Sequence, residues 1–563
     1  MRLSRAALLL TGMLSLAAPA LGEPAPPAAP ASPPRLIVAI SVDQFSADLF
    51  AHYRRRFTQG LARLQDGAVF PSGFQSHAAT ETCPGHSTIL TGVRPARSGI
   101  IANDWYEPAL ARADKHVYCA EDVTNPASTS DRPVVSARHL NARTLGDRLK
   151  AANPASKNVA VSYKDRAAVM MGGHAIDAAY WWRPAGFTTF DGLPVGPAAI
   201  AASRTALATI AKGAPAMAVP SWCAPLARKI DASGNMIGEG RFALERGKAQ
   251  GFTTSPRMDA TVANLAVALV DELQLGRDAA PDVLSVGLSA TDTIGHTLGP
   301  GGQEMCIQMA ELDKTIGALL AQLDRRRLDY VVVLTADHGG FDVVERQRQQ
   351  AYPRAVRGDS SLLVGELAKH VTTMTGITAP SGPLLYGDGM GGDRYISRLL
   401  SPADRAKVSD ALVARLKAHP QVAAVFTSRE LSQAPLPSAS PQDWSLKDRA
   451  RASFDPQRSG DVVVLLERAV MPIPARARGY VATHGSPWDY DRRVPIMFWR
   501  RGLAGFEQPA PIETVDIAPS LAALLRLDTT DGDFDGRCLD LDGGEGNTCE
   551  APRGCFDKFS MSG

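Results

Sequence analysis

From Glu81 the chain reads Glu81, Thr82, Cys83, Pro84, Gly85, His86, Ser87, which sets a hydroxyl between a polar loop and what reads as a helix start. A threonine there can be a nucleophile, but its hydroxyl is almost wholly protonated in water and attacks phosphorus poorly unless a base or metal withdraws the proton. Side chains suited to holding metal occur at four other places: Asp43, Asp292 with His296, Asp337 with His338, and His484. Zinc on the hydroxyl oxygen would promote its ionisation, and a second cation about 4 Å away would neutralise a leaving oxygen. Each ion needs three or so carboxylate and imidazole ligands with room left for substrate. The set points to a two-zinc hydrolase of phosphate esters.

Taken singly, these residues are unremarkable. Asp292 and His296, spaced i, i+4, would share one face of a helical turn, a spacing common in surface pairs. Asp337 and His338 follow the apolar run Val331, Val332, Val333, Leu334 and precede Gly339 and Gly340, as in any strand-end turn. Asp43 could simply cap the next helix, and His484 could be a loop histidine. The joint occurrence of three carboxylates and three imidazoles with Thr82 carries the reading.

Short apolar runs alternate with helical patterns, which predicts an α/β fold with a mostly parallel central sheet flanked by helices. The expected central strands are Leu36–Val42, Val159–Tyr163, Val283–Gly287, Tyr330–Thr335 and Pro495–Trp499. Ser255 and Pro256 start a helix that stops near Gly276. Another carries Met305, Met309, Leu312, Ile316, Leu319 and Leu323 at spacings of 4, 3, 4, 3 and 4, so its methionines read as core. In open α/β sheets catalytic groups gather beyond the carboxyl ends of the strands. Asp43, the pair Lys164 and Arg166, Asp292, and the pair Asp337 and His338 all fall there.

A core over 35–356, with an irregular insert at about 95–137, is followed by an inserted cap subdomain at 357–478. The cap is expected to hold a helix near Pro402–Ala418 and strands at Val422–Thr427 and Asp461–Glu467. Residues 479–563 complete the core and end in a Cys- and Asp-rich stretch. At the other end, Arg2 and Arg5 precede the apolar run Ala6–Ala18, and Ala20 and Gly22 follow at cleavage-site spacing. Residues 1–22 thus read as a secretory signal peptide, too short in its apolar run to span about 30 Å of hydrocarbon, and 23–34 as a Pro- and Ala-rich spacer. The expected location is periplasmic or secreted, with no stable membrane anchor after cleavage.

The 563 residues are 45% hydrophobic and 21% charged, with a formal net charge of +2. That is globular composition without the basic excess or the aromatic-interleaved basic stripe of a nucleic-acid binder. Export would let the seven cysteines form disulfides. Cys119 and Cys223 could pair across a loop, and Cys538, Cys549 and Cys555 lie close together. The odd count leaves one thiol over, with Cys83 or Cys306 as the candidate; connectivity is not readable from sequence.

Seven motifs together resemble the alkaline phosphatase superfamily, specifically the bacterial threonine-nucleophile alkaline phosphatases related in fold to nucleotide pyrophosphatase/phosphodiesterases. They are Ser41 to Gln44, Thr82 to Thr88, Asn103 to Trp105, Ser162 to Arg166, Thr291 to His296, Thr335 to Gly339, and Thr483 to Pro487. The resemblance runs from about Leu36 to Asp542. It implies that Asp292, His296 and His484 hold one zinc and that Asp43, Asp337, His338 and the Thr82 oxygen hold the other, with a covalent phosphothreonine at Thr82. It also implies that Asn103, Lys164 and Arg166 contact the transferred phosphoryl oxygens, which suits phosphate monoesters with their greater negative charge. A phosphodiesterase or nucleotide pyrophosphatase with the same two metals is the alternative. A sulfatase fits less well, because Thr82 stands where its cysteine or serine would be and Cys83 adjoins Pro84. His86 is expected only to support the loop.

A separate acidic stretch, Asp531 to Gly536 with Asp542 at the twelfth position, resembles half of a calcium loop without flanking helices. Calcium could bind there, although a cysteine-clipped acidic loop fits the surrounding residues better.

Overall fold

No residue of the strand Leu36–Val42 reaches solvent, because it is sandwiched on both sides and both faces. It lies near the middle of a nine-stranded sheet in this computed structural model, which describes residues 32–475, 479–530, 532–541 and 549. The signal-peptide segment, Asp531, Asp542 and Cys555 lie outside the described residues. Leu36–Val42 pairs in parallel with Asp282–Leu288 on one side and Tyr330–Thr335 on the other. Asn158–Ser162 and then Ala178–Arg183 extend the parallel part. The first four are rich in Val, Ile, Leu or Ala, as strands covered on both faces must be, and Ala178–Arg183 is half aromatic.

Arg493–Arg500 joins the sheet antiparallel to Tyr330–Thr335, a direction that its apolar run cannot reveal. Its other neighbour, Ala68–Phe74, was not expected as a strand, since Pro71 and Gly73 interrupt its pattern. Its pairing with Arg493–Arg500 breaks register between Val494 and Ile496, where Pro495 has no N–H to donate. Other boundaries shift by a residue or two: Asn158–Ser162 where Val159–Tyr163 was expected, and Asp282–Leu288 where Val283–Gly287 was.

Alternation along the strand sorts side chains into two cores. Leu36, Val38, Ile40 and Val42 pack with the helices Pro256–Glu272 and Gly302–Arg325 through Val262, Leu269, Leu312 and Ile316. Ile37 and Ala39 face the opposite layer, with Ile89 and Leu90 of the helix Thr82–Thr91 and Ile517 and Leu521 of the helix Ile517–Leu524. Ser255 is the N-cap and Pro256 the first residue of its helix, where proline's missing N–H costs nothing. Met305 and Met309 are fully buried, as core packing requires.

Within the segment expected as a cap, Leu385–Tyr386, Gly392–Ile396, Val462–Leu466 and Val422–Thr427 form a separate four-stranded sheet in that order. The helices Val364–Thr375 and Pro402–Lys417 cover it through Leu367, Val371, Val408 and Leu412. The expected irregular insert contains a short antiparallel pair, Asp104–Tyr106 with His116–Tyr118.

The cysteine expectations need correction. Cys83 bonds Cys119, Cys223 bonds Cys306, and Cys538 bonds Cys549. Cys119 and Cys223 therefore do not pair, and neither Cys83 nor Cys306 is free. Folding brings Cys83, at the start of one helix, onto the hairpin segment, and Cys306, in the first turns of another, under the loop at Cys223. Only tertiary contact chooses these partners.

Candidate active site

The parallel strands end in register, Val42 opposite Leu288 and Ser41 opposite Thr335, so the residues just past them open into one place. Asp43 and Asp337 are fully buried and Asp292 is 2% exposed. Asp292 and His296 lie on the helix Ala290–Leu298, one turn apart, with His296 Nε2 3.3 Å from Asp292 Oδ1. His484 Nε2 arrives from the distant loop at 3.4 Å from that same oxygen. Ligand atoms of Asp292, His296 and His484 all lie within 4.8 Å of one another.

A second group of the same tightness joins Asp43, Asp337 and His86. His86 thus does more than support its loop: it lies 3.3 Å from Asp43 through Nε2 and 3.3 Å from Asp337 through Nδ1. His338 adjoins this group, its Nε2 3.2 Å from Asp337 Oδ2. The sequence signal for His86 was its position one helical turn after Thr82, which aims both side chains the same way.

The four imidazoles share one arrangement. Nδ1 of His86, His296, His338 and His484 lies 2.8, 2.9, 2.8 and 2.8 Å from the carbonyl oxygens of Thr82, Ala482, Gly339 and Thr80. A carbonyl can only accept, so each Nδ1 carries hydrogen and each Nε2 is turned toward the carboxylates, the tautomer a metal ligand needs. Tyr480 stacks on His296 with ring centroids 4.4 Å apart and steadies its plane.

Charge distribution tells the same story. Both oxygens of Asp43, Asp337 Oδ2, and Nε2 of His86 and His338 are buried without a hydrogen-bond partner among the described residues. Buried anionic oxygens that make no hydrogen bond are costly unless a cation meets them, which Lys164 Nζ does for Asp43 Oδ2 at 3.0 Å, and carboxylate oxygen with imidazole nitrogen is a donor set that zinc uses. The residues therefore fit divalent metal. In the protein alone, their charge is met by protons and one lysine. Burial pulls His338 down, but the Asp337 carboxylate outweighs it and raises it to about 9. Burial likewise lowers His86, and Asp337 and Asp43 more than reverse it. Burial pushes Asp292 up, while His296 and Lys164 bring it well below the ordinary carboxylate range. His484 is held down at about 3 by burial and the nearby His338 charge.

Lys164, N-cap of the helix Asp165–Gly172, sits between the two groups. Its Nζ is 2.6 Å from Asp292 Oδ2, 3.0 Å from Asp43 Oδ2 and 3.4 Å from Thr82 Oγ1. Burial disfavours its charge, but Asp292 and Asp43 raise its pKa above the usual lysine value. Arg166 stands in the first turn of the same helix, its Nε without a hydrogen-bond partner among the described residues. The neighbouring Asp165 is occupied by the Tyr118 hydroxyl at 2.5 Å and by Arg183 at 2.6 Å. Asn103 approaches from the insert, its Oδ1 accepting from Cys83 N at 2.8 Å.

Thr82 opens its helix and is 1% exposed. Gly85 lets that helix touch the strand end: a Cβ there would lie 2.0 Å from the Asp337 carbonyl oxygen. Gln44, not singled out from the sequence, ties the two groups together. Its N–H donates to Asp337 Oδ1 at 3.0 Å and its Nε2 to Asp292 Oδ1 at 3.1 Å, from a left-handed backbone at φ 63°. Asp43, Lys164, Asp292, His296, Asp337, His338 and His484 are thus brought together beside Thr82, Asn103 bonds the next residue, Cys83, and Arg166 lies on the helix that Lys164 begins. The acidic C-terminal stretch is elsewhere: Asp533 pairs with Arg148 at 3.0 Å and Asp535 with Arg97 at 2.6 Å.

Residues 37–487 match the family described as type I phosphodiesterase / nucleotide pyrophosphatase, and the chain belongs to that family. It is 50% identical over 522 residues to alkaline phosphatase PhoK of Sphingomonas sp, covering 92% of this chain and 93% of that protein. It is 48% identical to alkaline phosphatase PhoD of Zymomonas mobilis, covering 92% and 90%. The crystal structure of wild-type alkaline phosphatase PafA superimposes with a TM-score of 0.78 at 24% identity, over 91% of this chain and 100% of that one. The fold is therefore the mostly parallel α/β fold of that structure.

Proposed function

We propose that this family member is an exported, zinc-dependent alkaline phosphatase that hydrolyses phosphate monoesters and releases inorganic phosphate through a phosphothreonine at Thr82. The phosphatase relatives at 50% and 48% identity over nearly the whole chain support the activity. The observation that carries the mechanism is the position of Thr82 Oγ1, 3.4 Å from the Lys164 Nζ that bridges Asp43 and Asp292.

Asp292, His296 and His484 would hold one zinc, and Asp43, Asp337, His338 and the Thr82 oxygen the other, with His86 close enough to join them. Bound there, the ions supply Lewis-acid neutralisation of the attacking and leaving oxygens. The chain's own residues do the rest. The helix start presents the Thr82 hydroxyl at the strand ends, and its attack on phosphorus forms the Thr82–phosphate bond as the ester oxygen departs. Lys164, Arg166 and the Asn103 amide meet the non-bridging oxygens, whose charge is greatest in a monoester. Hydrolysis of phosphothreonine then restores Thr82, and the two inversions give net retention.

Residues 1–22 serve as the signal peptide and 357–478 as a cap subdomain over the core. Three disulfides among the described residues support an oxidising, periplasmic or extracellular destination. No described helix is long and apolar enough to cross a membrane.

The family description favours a second reading, a phosphodiesterase with the same metals. Turnover of p-nitrophenyl phosphate and of bis-p-nitrophenyl phosphate by zinc-loaded protein separates the two. Faster monoester turnover is expected, and a preference for the diester would replace the phosphatase reading with the diesterase.

A further inference from the structure

Every hydrogen-bonding group of Asn103 except one is held, and each is held by a residue tied to the nucleophile. Its N–H donates to Glu81 Oε2 at 2.7 Å. Its side-chain Oδ1 accepts from Cys83 N at 2.8 Å, and its carbonyl oxygen accepts from Cys119 N at 2.9 Å. Glu81 and Cys83 flank Thr82 in sequence, and Cys119 is bonded to Cys83 through the disulfide. A backbone N–H can only donate, and of the two ends of a side-chain amide only the oxygen accepts, so the Cys83 contact fixes which way the amide of Asn103 faces. That leaves Nδ2, which donates to no described residue, turned away from Cys83 as the free end of the group.

Resting on the phosphatase reading above, we propose that Glu81 and the Cys83–Cys119 cystine are positioning residues. They form a cradle that keeps the Asn103 amide in register with Thr82, so that Nδ2 meets a phosphoryl oxygen as the Thr82 bond forms. The physical case is one of preorganisation. Asn103 lies on a segment of the insert that has few strands of its own, and a donor on such a segment aids the transition state only if its orientation is set beforehand. Here the orientation is set by the same turn that presents the hydroxyl, so nucleophile and donor move as one body.

The test is a double-mutant cycle on the zinc-loaded full-length protein, using p-nitrophenyl phosphate and its bis-ester, with metal content and melting temperature measured for every variant. Asn103→Ala is expected to lower monoester kcat/KM by about 10²-fold. Glu81→Ala should lower it by about 10-fold or more, through kcat more than KM, with diester turnover falling less. Glu81→Gln, which keeps an acceptor oxygen, should restore most of the loss. In the Asn103→Ala background, neither Glu81→Ala nor the pair Cys83→Ala with Cys119→Ala should cost much further. Multiplicative losses in both backgrounds, or equal losses on both esters, would show a merely structural role and overturn the cradle. If Asn103→Ala itself changes nothing, there is no donor to orient and the cradle also falls. The phosphatase reading fails separately, and only if the parent protein prefers the diester.

Discussion

His338 and His484 stack with ring centroids 3.5 Å apart and planes 17° from parallel, although one ends a central strand and the other sits in a loop that follows the four-stranded sheet in the chain. The contact joins the two metal-ligand groups edge to edge, with His338 turned to Asp337 and His484 to Asp292. Ligand groups joined this closely would let both act on one anionic substrate group.

Thr82→Ala removes the attacking oxygen but little else, because the helix Thr82–Thr91 keeps its contacts through Ile89 and Leu90. Monoester turnover should fall by about 10³-fold or more, with the melting temperature nearly unchanged. Acid-quenched protein from the parent, but not from the variant, should carry phosphate. Equal turnover by the two proteins would remove Thr82 as nucleophile.

Chelation should abolish activity and lower the melting temperature together, since it removes ions that only the folded chain can hold. Elemental analysis of the parent should find about two zinc ions per chain. Asp292→Ala and Asp43→Ala should each lose about one. A parent that stays fully active after exhaustive chelation would contradict the two-metal reading.

Lys164→Ala combined with Arg166→Ala should depress monoester turnover by on the order of 10² to 10³ and diester turnover far less. Lys164 also neutralises Asp43 and Asp292 in the metal-free protein, so the variant should bind zinc at least as tightly as its parent. A parallel decline on both esters would mean that the charged pair does not choose between them.

Asp259, 1% exposed, accepts from Ala290 N at 2.9 Å and Gln308 Nε2 at 2.8 Å, and burial pushes its carboxyl up to about 7. An unfolded aspartate titrates near about 3.9. Between those values the folded chain keeps a proton that the unfolded chain has released. The stability from this site therefore declines as pH rises from about 4 to about 7 and is flat above. Asp259→Asn lacks this slope, so its melting temperature should gain on the parent's across that window. A constant difference over the whole range would show that Asp259 titrates normally.

The site was more legible than the fold around it, for a physical reason. Buried parallel strands read as unbroken apolar runs, so the polar residues just past them, Asp43, Asp337 and His338, announce themselves. Asp292 with His296 was visible through helical spacing. Strand direction left no such mark, and Arg493–Arg500 runs antiparallel with a composition that would suit either sense. Ala68–Phe74 was hidden by Pro71 and Gly73, which a strand beside a register break can accommodate. The disulfide partners depend on which loop lands on which helix, and nothing local encodes that. His86 and Gln44 were passed over because each acts through a distant partner, Asp43 and Asp337 for the imidazole and Asp292 for the amide.

The registered strand ends also bear on when this protein can first work. Asp43 and Asp292 follow the ends of strands contributed by distant stretches of chain, and His484 lies beyond the four-stranded sheet in sequence. Such non-local pairing is slow to nucleate. A partly collapsed chain would offer a cation only local pairs, Asp292 with His296 or Asp337 with His338, each too few to retain it. During refolding, helical signal should therefore return before phosphatase activity and before tight zinc uptake, so the metal would act as a seal on a finished architecture and not as its nucleus.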